Sequence, residues 1–115
     1  MEARARLRNY RVSAQKARLV ANEIRGRDVD GALTILDLST KRFAKPLAKL
    51  VRSAVANAEE KNNRDHAGID IDNLVVKEVT VDQGSSMWRI RARAQGRAAW
   101  IQHRTSHIQV VLNEE

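Results

Sequence analysis

"GSSMWRIRARAQGRAAWIQHRTSHI", residues 84–108, contains five arginines, no carboxylate and both tryptophans of the chain, Trp88 and Trp100. Its periodicity decides the fold, and two periods compete. Arg89, Arg91 and Arg93 alternate with Trp88, Ile90, Ala92 and Ala94, which is strand spacing. Arg89, Arg93, Arg97 and Arg104 also fall at steps of four or seven, which is helix spacing. Three features favour the strand. Gly84 and Gly96 punctuate the tightest alternation, strand-like sequence flanks it on both sides, and a hairpin is the shortest connection between those flanks. Strands running from residue 74 to 112 with a turn near residue 90 exceed what a small helical layer covers, so the outer half should project. One face would be arginine, the other small or aromatic. An isolated two-stranded ribbon is marginal in water, so this one calls for a partner.

The flanks support this assignment. "NLVVKEVTVD" (73–82) is rich in β-branched residues, and Ile108, Val110 and Leu112 alternate in "TSHIQVVLN" (105–113). At the other end, "RARLRNYRV" (4–12) sets Arg4, Arg6 and Arg8 at alternate positions, a short strand with one basic face. Ser13 is placed to cap a helix over "AQKARLVANEIRG", with Ala17, Val20 and Ile24 on one side and Gly26 as the stop. Asp30 can cap a second helix over "GALTILDL", burying Leu33, Ile35 and Leu36. Pro46 suits the first turn of a third, where Leu47, Leu50, Val51, Ala54, Val55 and Ala58 form a wide apolar stripe. "EKNNRDHAGID" (60–70) reads as a polar connection turning at Gly68. The expected fold is α+β: three helices packed on a small antiparallel sheet, with a long protruding β-hairpin over about residues 79–108.

Composition narrows the partner. The 115 residues suit one domain able to bury its own core. The absence of cysteine excludes disulfides and thiolate metal sites and fits a reducing cytosol. No apolar run approaches the roughly 20 residues that cross a bilayer, and "MEARARLRNYRV" lacks the apolar centre of a signal peptide. The net charge of +7 is uneven. Residues 1–27 carry eight bases and two acids, residues 28–82 eight and ten, residues 83–115 five and two. Two basic ends around a near-neutral middle point to a polyanion. A membrane surface would favour a lysine-rich amphipathic helix with Leu and Phe on one side, yet the single phenylalanine, Phe43, lies far from the arginines.

Val81 to Leu112, with Val81-Asp82-Gln83-Gly84, Arg89, Arg93-Ala94-Gln95-Gly96-Arg97-Ala98 and Arg104-Thr105-Ser106-His107-Ile108, closely resembles a known hairpin. It is that of the bacterial large-subunit ribosomal protein family numbered twenty-two, whose pattern runs V-D-x-G-P-[ST]-x-[KR]-R-x-x-P-R-A-x-G-R-A and then K-R-T-S-H-I. "SAQKARLVANEIRGR" (13–27) and "SAVANAEEKN" (53–62) extend the resemblance over almost the whole chain. It implies a non-enzymatic constituent of the large ribosomal subunit in the cytoplasm, a monomer there beside neighbouring ribosomal proteins. The hairpin would thread between rRNA segments, aid assembly and line the nascent-polypeptide exit tunnel. Ser85, Trp88 and Ala92 depart from the pattern, which has Pro, a basic residue and Pro there. Losing two prolines frees backbone angles near the tip.

The candidate rRNA contacts are Arg4, Arg6, Arg8 and Arg11 in the N-terminal arm and Lys16, Arg18 and Arg25 in the first helix. On the hairpin they are Arg89, Arg91, Arg93, Arg97, Arg104, Thr105, Ser106 and His107. Met87, Trp88, Arg89, Ile90, Arg91, Ala92 and Arg93 form the candidate tunnel-lining tip, near a transient nascent polypeptide. His103 and His107 are four apart, but with no cysteine or nearby carboxylate no metal and no cofactor is expected. Asp70 and Asp72 are better explained as solvated or capping, and no phosphate loop, nucleophile elbow or H-E-x-x-H motif occurs. The competing class is an architectural DNA-binding protein with a basic β-ribbon arm.

Overall fold

The computed structural model describes residues 2–65, 68 and 71–114. Strand β1 (Glu2–Tyr10) leads into helices α1 (Ala14–Ile24), α2 (Val29–Leu38) and α3 (Ala44–Asp65), followed by strands β2 (Leu74–Ala92) and β3 (Ala98–Glu114). The sheet is antiparallel in the order β1-β3-β2, so the last strand is the central one. The expected α+β arrangement of three helices on a small antiparallel sheet is what forms.

Two of the three helices begin with a local signal, and one does not. At α1 the Ser13 hydroxyl accepts the Lys16 N–H at 3.3 Å, and Gly26 ends the run at φ 82°. Ala17, Val20, Ala21 and Ile24 bury its inner face. Helix α2 starts two residues earlier than expected: Asp28, not Asp30, occupies the N-cap position, and Asp30 lies in the first turn. The reason is tertiary. Gly26 N–H donates to Val76 O and Val76 N–H to Arg27 O, fixing the chain against β2 before α2 can begin. Within α2 the burial falls on Val29, Ala32 and Leu36, and Leu33 and Ile35 pack only partly. Pro46 lies in the first turn of α3, whose buried stripe runs Leu47, Leu50, Val51, Ala54 and Ala58. The helix continues to Asp65 and absorbs the first half of the polar connection. Asp70 lies outside the described residues.

The core fills the space between the helices and one sheet face. Val76, Val79, Ile108, Val110 and Leu112 meet Ile24, Leu36, Leu47 and Val51, all nearly or fully excluded from solvent. Burying each such side chain contributes about 1.5–3 kcal/mol. Ala3 and Ala5 are the buried residues of β1, and small side chains let α3 approach that strand. Two hydrogen bonds join them, Asn57 Nδ2 to Arg4 O at 2.7 Å and Lys61 Nζ to Glu2 O at 3.1 Å. Arg4, Arg6 and Arg8 point to the exposed side, as their alternation requires.

Beyond residue 84 the core ends but the ladder continues, from Ser86↔Arg104 to Ala92↔Ala98. These seven residues carry the arm about 23 Å at strand rise. The molecule measures 65 × 27 × 15 Å, and its radius of gyration is 17.4 Å. A compact chain of this length would have roughly 13 Å. The turn falls at residues 93–97 rather than near residue 90, with Arg93 N–H bonded to Arg97 O at 2.5 Å. Gln95 and Gly96 are both left-handed there, at φ 61° and 71°. A reversal needs such positions, and Gly96 is the glycine that supplies one.

At the root of the arm, β3 runs straight while both neighbours bulge. Gly84 and Ser85 together face Thr105, and β1 shifts register between Leu7 and Tyr10, with Asn9 at φ 54°. Thr105 Oγ1 donates to Ser85 O, Asn9 N–H donates to His107 Nδ1 at 3.1 Å, and buried Ser106 Oγ donates to Val12 O at 2.8 Å. A Cβ on Gly84 would lie 2.7 Å from Thr105 Oγ1 and 3.2 Å from Thr105 O. Ser106→Ala leaves the Val12 carbonyl without this donor and should cost about 1–3 kcal/mol. Gly84→Ala should cost a similar amount through overpacking, about 1–3 kcal/mol. Urea denaturation checks both, and unchanged midpoints would show that the root of the arm contributes nothing to the cooperative unit.

Candidate nucleic-acid interface

Opposite residues in an antiparallel ladder share a face, so the register sorts the arm into two. Trp88, Ile90, Trp100 and Gln102 share one side; Met87, Arg89, Arg91, Ile101 and His103 share the other. Trp88 and Trp100 are 59% and 66% exposed and do not fold back on the core. Arg93 and Arg97 bracket the turn, so the apex lies beyond the Met87–Arg93 span expected at the tip. Met87, opposite His103, is well down the arm.

The candidate cations fall into two groups. Arg89, Arg91, Arg93 and Arg97 are exposed, and among the described residues none of their side chains has a hydrogen-bond or ion-pair partner. Arg8 and Lys16 are equally free. Others already hold the fold together. Arg18 donates twice to Val81 O, and Arg25 donates to Val79 O and to Asn22 Oδ1, binding α1 to the carbonyls of β2. Arg6 donates to Gln109 Oε1 at 3.0 Å, and Arg4 pairs with Glu2, which also takes Lys77. Hydrogen bonds from Lys77 and then Arg4 hold the Glu2 carboxyl below the usual carboxylate range. Thr105, Ser106 and His107 are occupied at the root of the arm, and Ser106 is fully buried. Arg104 donates to Gln102 Oε1 at 3.3 Å and stays exposed.

Between the root of the arm and the helical body lies a cleft of about 610 Å³. Tyr10, Val12, Leu19 and Phe43 give it apolar walls, and Arg11, Lys16, Lys41, Arg42 and Arg104 line it with positive charge. Lys41 and Arg42 were not among the residues singled out from sequence. The adjacent basic pair in "STKRFAK" was the available signal, hidden because it falls in the near-neutral third of the chain. Elsewhere, among the described residues, no group of three or more His, Asp or Glu side chains converges as a metal site would require, and no helix is long and apolar enough to cross a membrane.

A family model for ribosomal protein L22p/L17e matches residues 5–113. The chain belongs to this family. It is 52% identical to the large ribosomal subunit protein uL22 of Syntrophus aciditrophicus and 50% identical to that of Bdellovibrio bacteriovorus, in both cases over 115 residues and the full length of each chain. It is also 51% identical over 114 residues to the uL22 of Desulfotalea psychrophila, covering 99% of both chains. Membership of the L22p/L17e family makes this a protein of the large ribosomal subunit, located in the ribosome and, in bacteria, in the cytoplasm. rRNA and other ribosomal proteins are its partners in kind.

His103 sits where the arm leaves the body. Partial burial, and then the charges of Arg11, Arg89 and Arg91, hold its imidazole below the usual histidine range. Arg11 Nη2 lies 2.6 Å from His103 Nδ1. A guanidinium only donates, so Nδ1 accepts and the proton sits on Nε2. Because the folded pKa is depressed, the unfolded chain binds more protons in the window between that value and about 6.5. The stabilisation is therefore complete above that window and is lost as pH falls through it. NMR titration of the ring should place His103 below an exposed histidine, and Arg11→Gln should move it up. A His103 midpoint at or above that of an exposed histidine would contradict the geometry.

Proposed function

We propose that the chain is a structural, non-catalytic constituent of the large ribosomal subunit that binds large-subunit rRNA, aids subunit assembly and lines the nascent-polypeptide exit tunnel with its hairpin tip. One observation carries the RNA-binding part: among the described residues Arg89, Arg91, Arg93 and Arg97 of the arm have no hydrogen-bond or ion-pair partner, and no carboxylate lies between Asp82 and Glu114 in the sequence. Four guanidinium groups on one projecting ribbon match phosphates bidentately and stack on bases. Exposed Trp88 and Trp100 add stacking surfaces, and A-form RNA read by shape gives specificity without base-edge hydrogen bonds.

In this proposal residues 1–115 act as one rRNA-binding unit, with residues about 79–108 as its extended hairpin. Free cations of the N-terminal strand and first helix, Arg8 and Lys16 foremost, supplement the arm. Arg4, Arg6, Arg11, Arg18 and Arg25 join with whatever donors the fold leaves them. Thr105, Ser106 and His107 act by fixing the direction of the arm. Residues 87–93, extended to Arg97 by the position of the turn, line the tunnel beside a passing polypeptide. The chain is a monomer within the ribosome, flanked by neighbouring ribosomal proteins, and uses neither cofactor nor membrane.

Arg93→Gln with Arg97→Gln should flatten the slope of log K against log salt by about one to two units on a folded large-subunit rRNA fragment. No change in slope would remove those two from the phosphate contacts. Equal affinity for duplex DNA of the same length would favour the architectural DNA-binding class instead. Replacing residues 88–102 by an Asn-Gly turn should leave cooperative unfolding intact, because the core and the bonds at the arm's root lie outside that span. Loss of the unfolding transition would show that the arm belongs to the folding unit.

A further inference from the structure

The cleft at the root of the arm differs from the arm in one physical respect: it combines positive charge with an apolar interior. Its lining holds Arg11, Lys16, Lys41, Arg42 and Arg104 and no carboxylate, and among the described residues none of the five makes an ion pair. Tyr10 and Phe43 meet with ring centroids 5.8 Å apart and planes at 53°. Leu19, on the same wall, is 53% exposed, an aliphatic side chain left in water beside four or more cations. The cleft volume of about 610 Å³ lies within the roughly 300–1,000 Å³ of small-ligand clefts.

A phosphodiester backbone alone would use the cations and leave the apolar wall wet. A hydrophobic peptide would cover the wall and leave five cations desolvated without partners, which is costly. One ligand class uses both, a flat apolar face joined to a phosphate. The geometry points to this cleft as a seat for one unpaired nucleotide of RNA, its base against Leu19 and Tyr10 and its flanking phosphates among Lys16, Lys41, Arg42 and Arg104. The inference rests on the RNA-binding function proposed above and adds a second, body-side contact of a different kind. The arm meets a folded RNA surface; the cleft takes a base out of the stack. Arg11 is held towards the cleft by His103, so the charge of the arm's root is continuous with it.

The full chain, with methyl groups labelled, is titrated separately with single-stranded oligouridine, with an RNA duplex of equal length and with inorganic phosphate. The methyl signals of Val12, Leu19 and Val20 are expected to shift with oligouridine and to stay in place with duplex and with phosphate. Exposed Lys41→Gln with Arg42→Gln should weaken oligouridine binding roughly tenfold, whereas Lys45→Gln with Lys49→Gln, which removes equal charge from the outer side of α3, should change it less than about threefold. Equal shifts with inorganic phosphate would overturn the nucleotide seat and leave a plain anion site. Oligouridine shifts confined to the arm, with the cleft methyls unmoved, would overturn it while leaving the arm's RNA binding intact. Absence of binding to both oligouridine and the rRNA fragment would remove the underlying function as well.

Discussion

Strand β3 serves the core and the arm in one unbroken run, and that sharing constrains everything else. Residues 106, 108, 110 and 112 face the helices and are buried, so the alternation fixes residues 98, 100, 102 and 104 on the continuation of that face. A one-residue slip would expose Ile108 and Leu112 and turn every arm residue over. The two neighbouring strands absorb the change of surroundings, each with an extra residue at the level of Thr105 to His107. Three successive side chains then tie those irregular segments to β3: Thr105 to Ser85 O, Ser106 to Val12 O and His107 to Asn9 N–H. The short motif that looked like an RNA-contact signature is thus also the joint that fixes where the arm points.

The same economy divides the arginines. Guanidinium groups near the sheet have carbonyls within reach, and Arg18 and Arg25 take them, joining α1 to β2 where apolar packing gives way to the sheet margin. Beyond residue 86 the strands pair only with each other, and among the described residues Arg89, Arg91, Arg93 and Arg97 make no hydrogen bond or ion pair with the fold. The arginines there stay in water, where unit charges about 4 Å apart repel by only about 1 kcal/mol. High dielectric makes the free arm tolerable. A polyanion makes it favourable.

Much of this was legible because it depends on neighbours in sequence. The Ser13 cap, the Gly26 stop, the Leu47-to-Ala58 stripe and the alternation on either side of Gly84 are short-range patterns, and each led to the right element. Several of the differences involve partners far along the chain. Asp28 begins α2 because Val76 holds the preceding residues, a contact across nearly fifty positions. Ser106 Oγ bonds a carbonyl 94 residues away, and Arg18 bonds one 63 residues away. The turn was placed too early because alternation marks a strand but not its end. The left-handed residues Gln95 and Gly96 mark the end, and only the glycine announces itself. Lys41 and Arg42 were missed because segment-wide charge averages hide a local pair.

The two faces of the arm also bear on what kind of partner can hold it. Trp88, Ile90 and Trp100 present apolar surface on one side, and Arg89 and Arg91 present charge on the other. A flat surface pressed against the tryptophans would leave the arginines in water; one pressed against the arginines would leave more than half of each indole exposed. Only a partner that closes around the ribbon relieves both, giving the apolar side a stacking surface and the basic side phosphates. A ribbon that is marginal alone becomes well defined when enclosed in that way. Under the proposed rRNA binding, stiffness would come from the enclosing partner rather than from the chain, where Ser85 and Ala92 stand in place of the family pattern's two prolines.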